Sequence, residues 1–264
     1  MNLSLSNLCW DFENIEAYEL LRDNDIEYIE LSLLKIFEDW ENLDRKKIIR
    51  LRKQLSDYNL KISSLQSIFF KKKINLFKDS QEFLEHFKLI IDYSAELGCP
   101  YIVYGSPRTR VLNEISEERA TDEFLEIFNH LSDENKDITI GIEPNPEYYN
   151  CYFLNTHQKI KNTVQILNCN NIVFHYDLAC ISLSGDDPYK IYLEELENLR
   201  HVHISSKDLK NIQYDEQVFD FVSKIIEKNS CTYSLEMLNL KKREVINCIS
   251  KIREWKNNDR TDNK

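Results

Sequence analysis

ITIGIEPNP, Ile138–Pro146, is the stretch that decides the fold. Ile138, Ile140 and Ile142 alternate with Thr139, Gly141 and Glu143, so a strand here turns isoleucines to one face and small or acidic residues to the other. In a parallel barrel the isoleucines meet the surrounding helices. Glu143 then points inward at the C-terminal mouth, where barrel active sites sit.

Three later runs repeat the pattern. NIVFHYDLAC (Asn171–Cys180) carries Asp177, LRHVHISSKD (Leu199–Asp208) carries His203, and CTYSLEML (Cys231–Leu238) carries Glu236. Val202 and Ile204 oppose His201 and His203, and Tyr233 and Leu235 oppose Thr232, Ser234 and Glu236. The intervals between the four candidates are 34, 26 and 33 residues, close to the roughly 30 residues per strand-plus-helix unit of an eight-unit barrel. Parity and spacing together predict that Glu143, Asp177, His203 and Glu236 meet at one mouth.

Outward from these runs, short apolar segments alternate with longer amphipathic ones, the pattern of βα repetition. Strands are expected at Leu3–Leu8, Tyr28–Leu31, Lys61–Gln66, Tyr101–Tyr104, Ile138–Glu143, Ile172–Asp177, His201–Ile204 and Thr232–Glu236, and eight is the closure number of an α/β (β/α)8 TIM barrel. Ser80–Leu97 reads as a helix, with Phe83, Leu84, Phe87, Ile90, Ile91 and Ala95 at helical spacing and Gly98 as its stop. Further helices are expected at Ile15–Asn24, Arg45–Tyr58, Glu117–Leu131, His157–Leu167, Tyr189–Asn198, Asp215–Lys228 and Lys242–Trp255. No Gly/Ser- or Pro-rich linker divides the chain, so residues 1–256 are expected as a single barrel with a polar tail, Asn257–Lys264.

The composition narrows the function. The chain has 264 residues, 42% of them hydrophobic, which is ample for one core. A formal charge of −11 disfavours a nucleic-acid partner, because phosphate-backbone binders need a basic footprint. The seven dispersed cysteines form neither a paired framework nor a zinc knuckle, and no apolar stretch approaches the ~20 residues of a membrane span. A cytoplasmic protein is expected.

Two glutamates, one aspartate and one histidine offer three oxygen donors and one imidazole, a set suited to one divalent metal ion such as Mn, Mg, Co or Zn. Three carboxylates at one mouth repel one another unless a cation offsets them. Such a site supports proton transfer at carbon beside a carbonyl, through a metal-stabilised enediolate with a carboxylate on each side to remove and return the proton. Return of the proton to the same carbon is epimerisation, and return to its neighbour is aldose–ketose isomerisation. The sequence leaves both open.

Around this set, Arg108 and Arg110 in GSPRTR are candidates to grip a phosphate or carboxylate. Asn145 and Tyr148 follow Glu143 closely, Gln66 ends the third strand with an amide able to bind a sugar hydroxyl, and Lys207 lies just beyond His203. These six are the candidate substrate contacts. His175 and His201, each two residues before a candidate ligand, read as hydrogen-bonded core histidines, and the Lys71–Lys73 run reads as a solvated loop.

The chain also resembles the sugar phosphate isomerase/epimerase family, the xylose isomerase-like TIM barrels that include endonuclease IV-type repair enzymes. The resemblance runs through LSNLCWD (Leu5–Asp11), SSLQSIFF (Ser63–Phe70), VYGSPRTR (Val103–Arg110), IEPNPEYY (Ile142–Tyr149), HYDLA (His175–Ala179), HVHIS (His201–Ser205) and YSLEM (Tyr233–Met237). It implies that Glu143, Asp177, His203 and Glu236 bind one divalent metal and that the two glutamates form the acid/base pair acting on a small sugar or sugar derivative. Two departures stand out: Cys180 where many sugar epimerases of the family have histidine, and Ser206-Lys207 where relatives read Glu-Pro. Metal-dependent phosphodiester hydrolysis and a non-catalytic binding barrel are the alternatives, and a homodimer is compatible with the sequence.

Overall fold

A computed structural model describes residues 2–134, 136–225 and 231–258. Its strands are β1 (Asn2–Ser6), β2 (Tyr28–Leu31), β3 (Lys61–Leu65), β4 (Tyr101–Tyr104), β5 (Thr139–Ile142), β6 (Ile172–Phe174), β7 (Tyr176–Asp177), β8 (His201–Ser205) and β9 (Thr232–Glu236). All pair in parallel, in the order β6-β5-β4-β3-β2-β1-β9-β8-β7. The two ends of that order are consecutive pieces of the expected sixth strand, parted at His175. β6 pairs with β5 and β7 with β8, so the nearly closed sheet is a TIM barrel whose sixth strand changes partner. The His175 backbone N–H still donates to the Ile142 carbonyl at 2.9 Å.

The outer helices are α1 (Asn14–Asp23), α2 (Arg45–Asp57), α3 (Ser80–Leu97), α4 (Glu117–Glu134), α5 (His157–Leu167), α6 (Leu178–Leu183), α7 (Pro188–Glu195), α8 (Glu216–Ile225) and α9 (Lys242–Asn258). Asp44 and Thr156 cap α2 and α5 by accepting from the backbone N–H groups of Lys47 and Lys159, and Asp187 with Pro188 starts α7. α6 is an addition to the sequence expectation, too short to show a helical period. Residues 226–228 of the expected Asp215–Lys228 helix and 259–264 of the expected tail lie outside the described residues.

Two chemically different layers result. Outside the sheet, Phe83 and Phe87 of α3, Phe124 and Phe128 of α4 and Tyr104 of β4 are buried against one another, with the Phe87 and Phe128 ring centroids 5.8 Å apart and those of Tyr104 and Phe128 5.3 Å apart. Each such phenylalanine contributes about 1.5–3 kcal/mol of burial. Inside the barrel the filling is polar, with Ser4, Glu30, Ser64, His175, His201 and Ser234 all buried. Tyr101 crosses this interior and stacks on His201, their centroids 5.3 Å apart. Gly141 makes room for it, since a Cβ there would lie 2.0 Å from the Tyr101 hydroxyl oxygen.

Candidate metal centre at the barrel mouth

The imidazole of His203, 1% exposed, is the centre of the mouth. Its Nδ1 lies 3.2 Å from Glu236 Oε2, 3.4 Å from Glu143 Oε1 and 3.5 Å from Asp177 Oδ2. That nitrogen is buried without a hydrogen-bond partner among the described residues. The four residues that parity and spacing predicted to converge are therefore brought together, Glu143, Asp177 and Glu236 at the C-terminal ends of β5, β7 and β9 and His203 from within β8.

Their surroundings fix them separately. Asp177 caps α6, its Oδ1 accepting from the Cys180 N–H at 2.6 Å and its Oδ2 from the Ser205 hydroxyl at 2.8 Å. Burial would raise its pKa, but the neighbouring His203 and these donors hold it below the usual carboxylate value. Glu143 Oε2 accepts from Asn145 Nδ2 at 2.9 Å, and a Cβ at Gly105 would lie 2.0 Å from that same oxygen, so only glycine leaves the carboxylate in place. Burial raises Glu236 to about 7, against the opposing pull of His203. Cys180 is buried, and burial beside Asp177 holds its thiol well above its usual pKa, so it is no thiolate nucleophile.

Sequence reading missed Glu30. It is 0% exposed, and it stands beneath the mouth in the barrel axis. His203 Nε2–H donates to its Oε2 at 2.9 Å, Ser64 Oγ donates to the same oxygen at 2.6 Å, and Ser234 Oγ donates to Oε1 at 3.1 Å. Burial opposes its charge, yet His203, His201 and Ser64 lower its pKa to about 2. An ionised carboxylate only accepts, so the far nitrogen of His203 must donate and Nδ1 is the nitrogen left for the mouth. Burial by itself would discharge His203; Glu30 and Glu236 outweigh it and hold its pKa well above the usual histidine value. His201, held at about 4 by burial, and His175, which burial lowers well below the usual histidine value, fill the layer beneath as neutral rings.

A divalent cation fits this donor set. The ring nitrogen of His203 and one oxygen each of Glu143 and Asp177 lie within 4.8 Å of one another, with Glu236 at contact distance from the same ring. The nitrogens of His175, His201 and His203 also cluster within that distance. In that second group Tyr101 faces His175 Nδ1 at 3.2 Å, Ser64 holds His201 Nε2 at 2.9 Å and Glu30 holds His203 Nε2, and the remaining nitrogens of His175 and His201, like His203 Nδ1, are buried without a hydrogen-bond partner among the described residues.

The expected substrate contacts divide. Gln66, buried and donating to Ser6 Oγ, and exposed Arg108 line a cavity of about 300 Å³ together with Glu143 and Glu236. Asn145 lines a second cavity of about 320 Å³ that shares the same two glutamates. Arg110 instead turns inward: at 0% exposure its guanidinium donates to the carbonyls of Leu154 and Glu143, bracing the mouth from beneath. Tyr148 and Lys207 pair on the rim, the ammonium 4.2 Å from the ring centroid, and neither lines the two cavities. Tyr149, the neighbour of Tyr148, lines the second. The Lys71–Lys73 run, read as solvated, places Lys71 and Lys72 in the first.

A family model described as xylose isomerase-like TIM barrel matches residues 18–245. Among solved structures, a D-tagatose 3-epimerase-like protein superposes with a TM-score of 0.77 at 17% identity, covering 100% of both chains. An AP endonuclease, family 2, from Brucella melitensis gives 0.71 at 17% identity, covering 93% of this chain and 96% of that one. The IolI protein with a bound zinc atom gives 0.68 at 16% identity, covering 97% and 96%. No curated protein sequence matches. Among the described residues no helix is long and apolar enough to cross a membrane.

Proposed function

Because the chain belongs to the xylose isomerase-like TIM barrel family, we propose that it is a metal-dependent isomerase or epimerase of a small sugar or sugar phosphate. The observation that carries this reading is the buried, unpartnered Nδ1 of His203, faced by Glu143, Asp177 and Glu236. These four residues would hold one divalent ion, Mn, Mg, Co or Zn, which supplies the positive charge that polarises a carbonyl and acidifies the neighbouring C–H bond.

Glu143 and Glu236 are common to both cavities, so a sugar carbon lying between them has a carboxylate on each side. One removes the proton and the other returns it, to the opposite face of the same carbon or to the adjacent one. Asp177, with both oxygens engaged, anchors; Asn145 orients Glu143; Gln66 and Arg108 contact substrate, and Tyr148 and Lys207 guard the rim. Seven dispersed cysteines that form neither a paired framework nor a zinc knuckle fit a reducing cytoplasm. The epimerase-like and zinc-containing neighbours support the reading at the level of fold alone. Phosphodiester hydrolysis draws the same fold-level support from the endonuclease neighbour, but a charge of −11 and monosaccharide-sized cavities favour a small substrate.

The test is metal analysis of the purified protein together with a turnover screen over ketoses, aldoses and their phosphates. About one metal ion per chain and turnover that falls roughly 10²–10⁴-fold in Glu143→Gln and Glu236→Gln are expected. Metal binding with no turnover of any sugar, or chelator-sensitive cleavage of abasic-site DNA, overturns the proposal.

A further inference from the structure

The two cavities that share Glu143 and Glu236 differ in charge. One adds Asp177 and Asp208 and no Lys or Arg; the other adds Lys71, Lys72 and Arg108, beside the Gln66 amide and Phe70. The acid/base pair thus stands as a partition between an acidic basin and a basic one.

The basic basin is built on a fixed platform. Ile68 and Phe69 are buried, His86 Nε2–H donates to the Ile68 carbonyl at 2.7 Å, and Trp40 Nε1–H donates to the Phe70 carbonyl at 2.8 Å. These ties fasten the loop after β3 to the core from both sides, and Lys71 holds a left-handed φ of 64° at its turn. Lys71 donates to the Glu38 carbonyl at 2.8 Å and Lys72 pairs with Glu41 at 2.9 Å. An ammonium has three donors, so each lysine is aimed by one bond and keeps two donors for a ligand. Arg108 follows Pro107 on the loop after β4, exposed and with no hydrogen bond or ion pair among the described residues. Its planar fork suits a bidentate grip on an oxyanion.

We propose that the basin formed by Lys71, Lys72 and Arg108 binds the oxyanion, a phosphate or a carboxylate, of a monosaccharide-sized substrate whose reacting carbon lies between Glu143 and Glu236. This rests on the isomerase reading for the position of that carbon. A cavity of about 300 Å³ is at the small end of ligand sites, which limits the occupant to one sugar with its anionic group.

Calorimetric titration of the metal-loaded protein tests it, using a neutral ketohexose, its phosphate and a hexuronate. The phosphate or the uronate binds at least about tenfold tighter than the neutral sugar, and whichever shows the preference identifies the anion. Arg108→Gln and Lys71→Gln, both at exposed side chains, each remove about three- to tenfold of that preference. Equal affinity for charged and neutral sugars, no measurable binding of either anion, or a preference that survives both substitutions overturns the proposal. An anion preference without turnover of any sugar sinks the isomerase reading and leaves the basin standing. Turnover confined to neutral sugars does the reverse.

Discussion

Replacing Glu30 by Gln is expected to loosen the metal without unfolding the barrel. Two donors converge on Oε2 of this carboxylate, Ser64 Oγ at 2.6 Å and His203 Nε2 at 2.9 Å, while Ser234 reaches Oε1 at 3.1 Å. A glutamine with its carbonyl oxygen in the place of Oε2 still accepts from His203, but the bond is no longer charge-assisted and is roughly half as strong. Its NH2 faces the Ser234 hydroxyl, which can reverse and accept. Partners of this kind are worth about 10–100-fold in metal affinity, and Glu30→Gln should fall near the tenfold end. Glu30→Ala should reach the hundredfold end. It also leaves His203, Ser64 and Ser234 without an acceptor, at about 1–3 kcal/mol for each unsatisfied group. Competition against a fluorescent chelator at fixed pH reads the affinity, the visible spectrum of the Co²⁺-loaded protein reads the ligand field, and thermal unfolding controls for the fold. A Glu30→Gln protein that binds metal within about twofold of wild type, with an unchanged Co²⁺ spectrum, refutes the argument that Glu30 sets His203.

Two glycines separate site from scaffold. A methyl at Gly105 meets the mobile end of Glu143, so Gly105→Ala should cost metal affinity and turnover with little change in melting temperature, whereas at Gly141 it meets the packed Tyr101 ring and should cost about 1–3 kcal/mol in a denaturant titration. Away from the mouth, burial raises the pKa of Glu195, but His157 at 2.9 Å and Lys161 at 2.7 Å lower it from 4.5 to about 2. A lowered folded-state pKa means stability that is fully present above about pH 4.5 and lost as pH falls towards 2. The contribution is about 3 kcal/mol, and Glu195→Gln should flatten that limb of the stability–pH curve.

Parity and spacing together pointed to Glu143, Asp177, His203 and Glu236, because Glu143, Asp177 and Glu236 stand at strand ends and His203 alternates with Val202 and Ile204. The same alternation runs through Tyr28–Leu31 and turns Glu30 inward between Ile29 and Leu31, but a lone acid in a four-residue strand also reads as a solvated edge. The register shift between Ile29 and Glu30 against β3 obscures it further. The break at His175 has no glycine or proline to announce it; it follows from how the barrel closes. Arg110 left its expected setting, and the exposed Lys71 lines the mouth as well as facing solvent, for a tertiary reason. The carbonyls of Leu154 and Glu143 draw Arg110 inward, while Trp40 and His86 fasten the Ile68–Phe70 backbone and bring the lysines to the mouth.

The central claim, metal-dependent proton transfer between Glu143 and Glu236, is tested most directly by solvent-deuterium incorporation into a sugar turned over in D2O. Nuclear magnetic resonance should show deuterium entering at one carbon beside the carbonyl, lost on chelation, restored by a divalent ion, and abolished in Glu236→Gln even when metal is bound. Turnover with no deuterium incorporated, or incorporation that persists in both Glu143→Gln and Glu236→Gln, would contradict it.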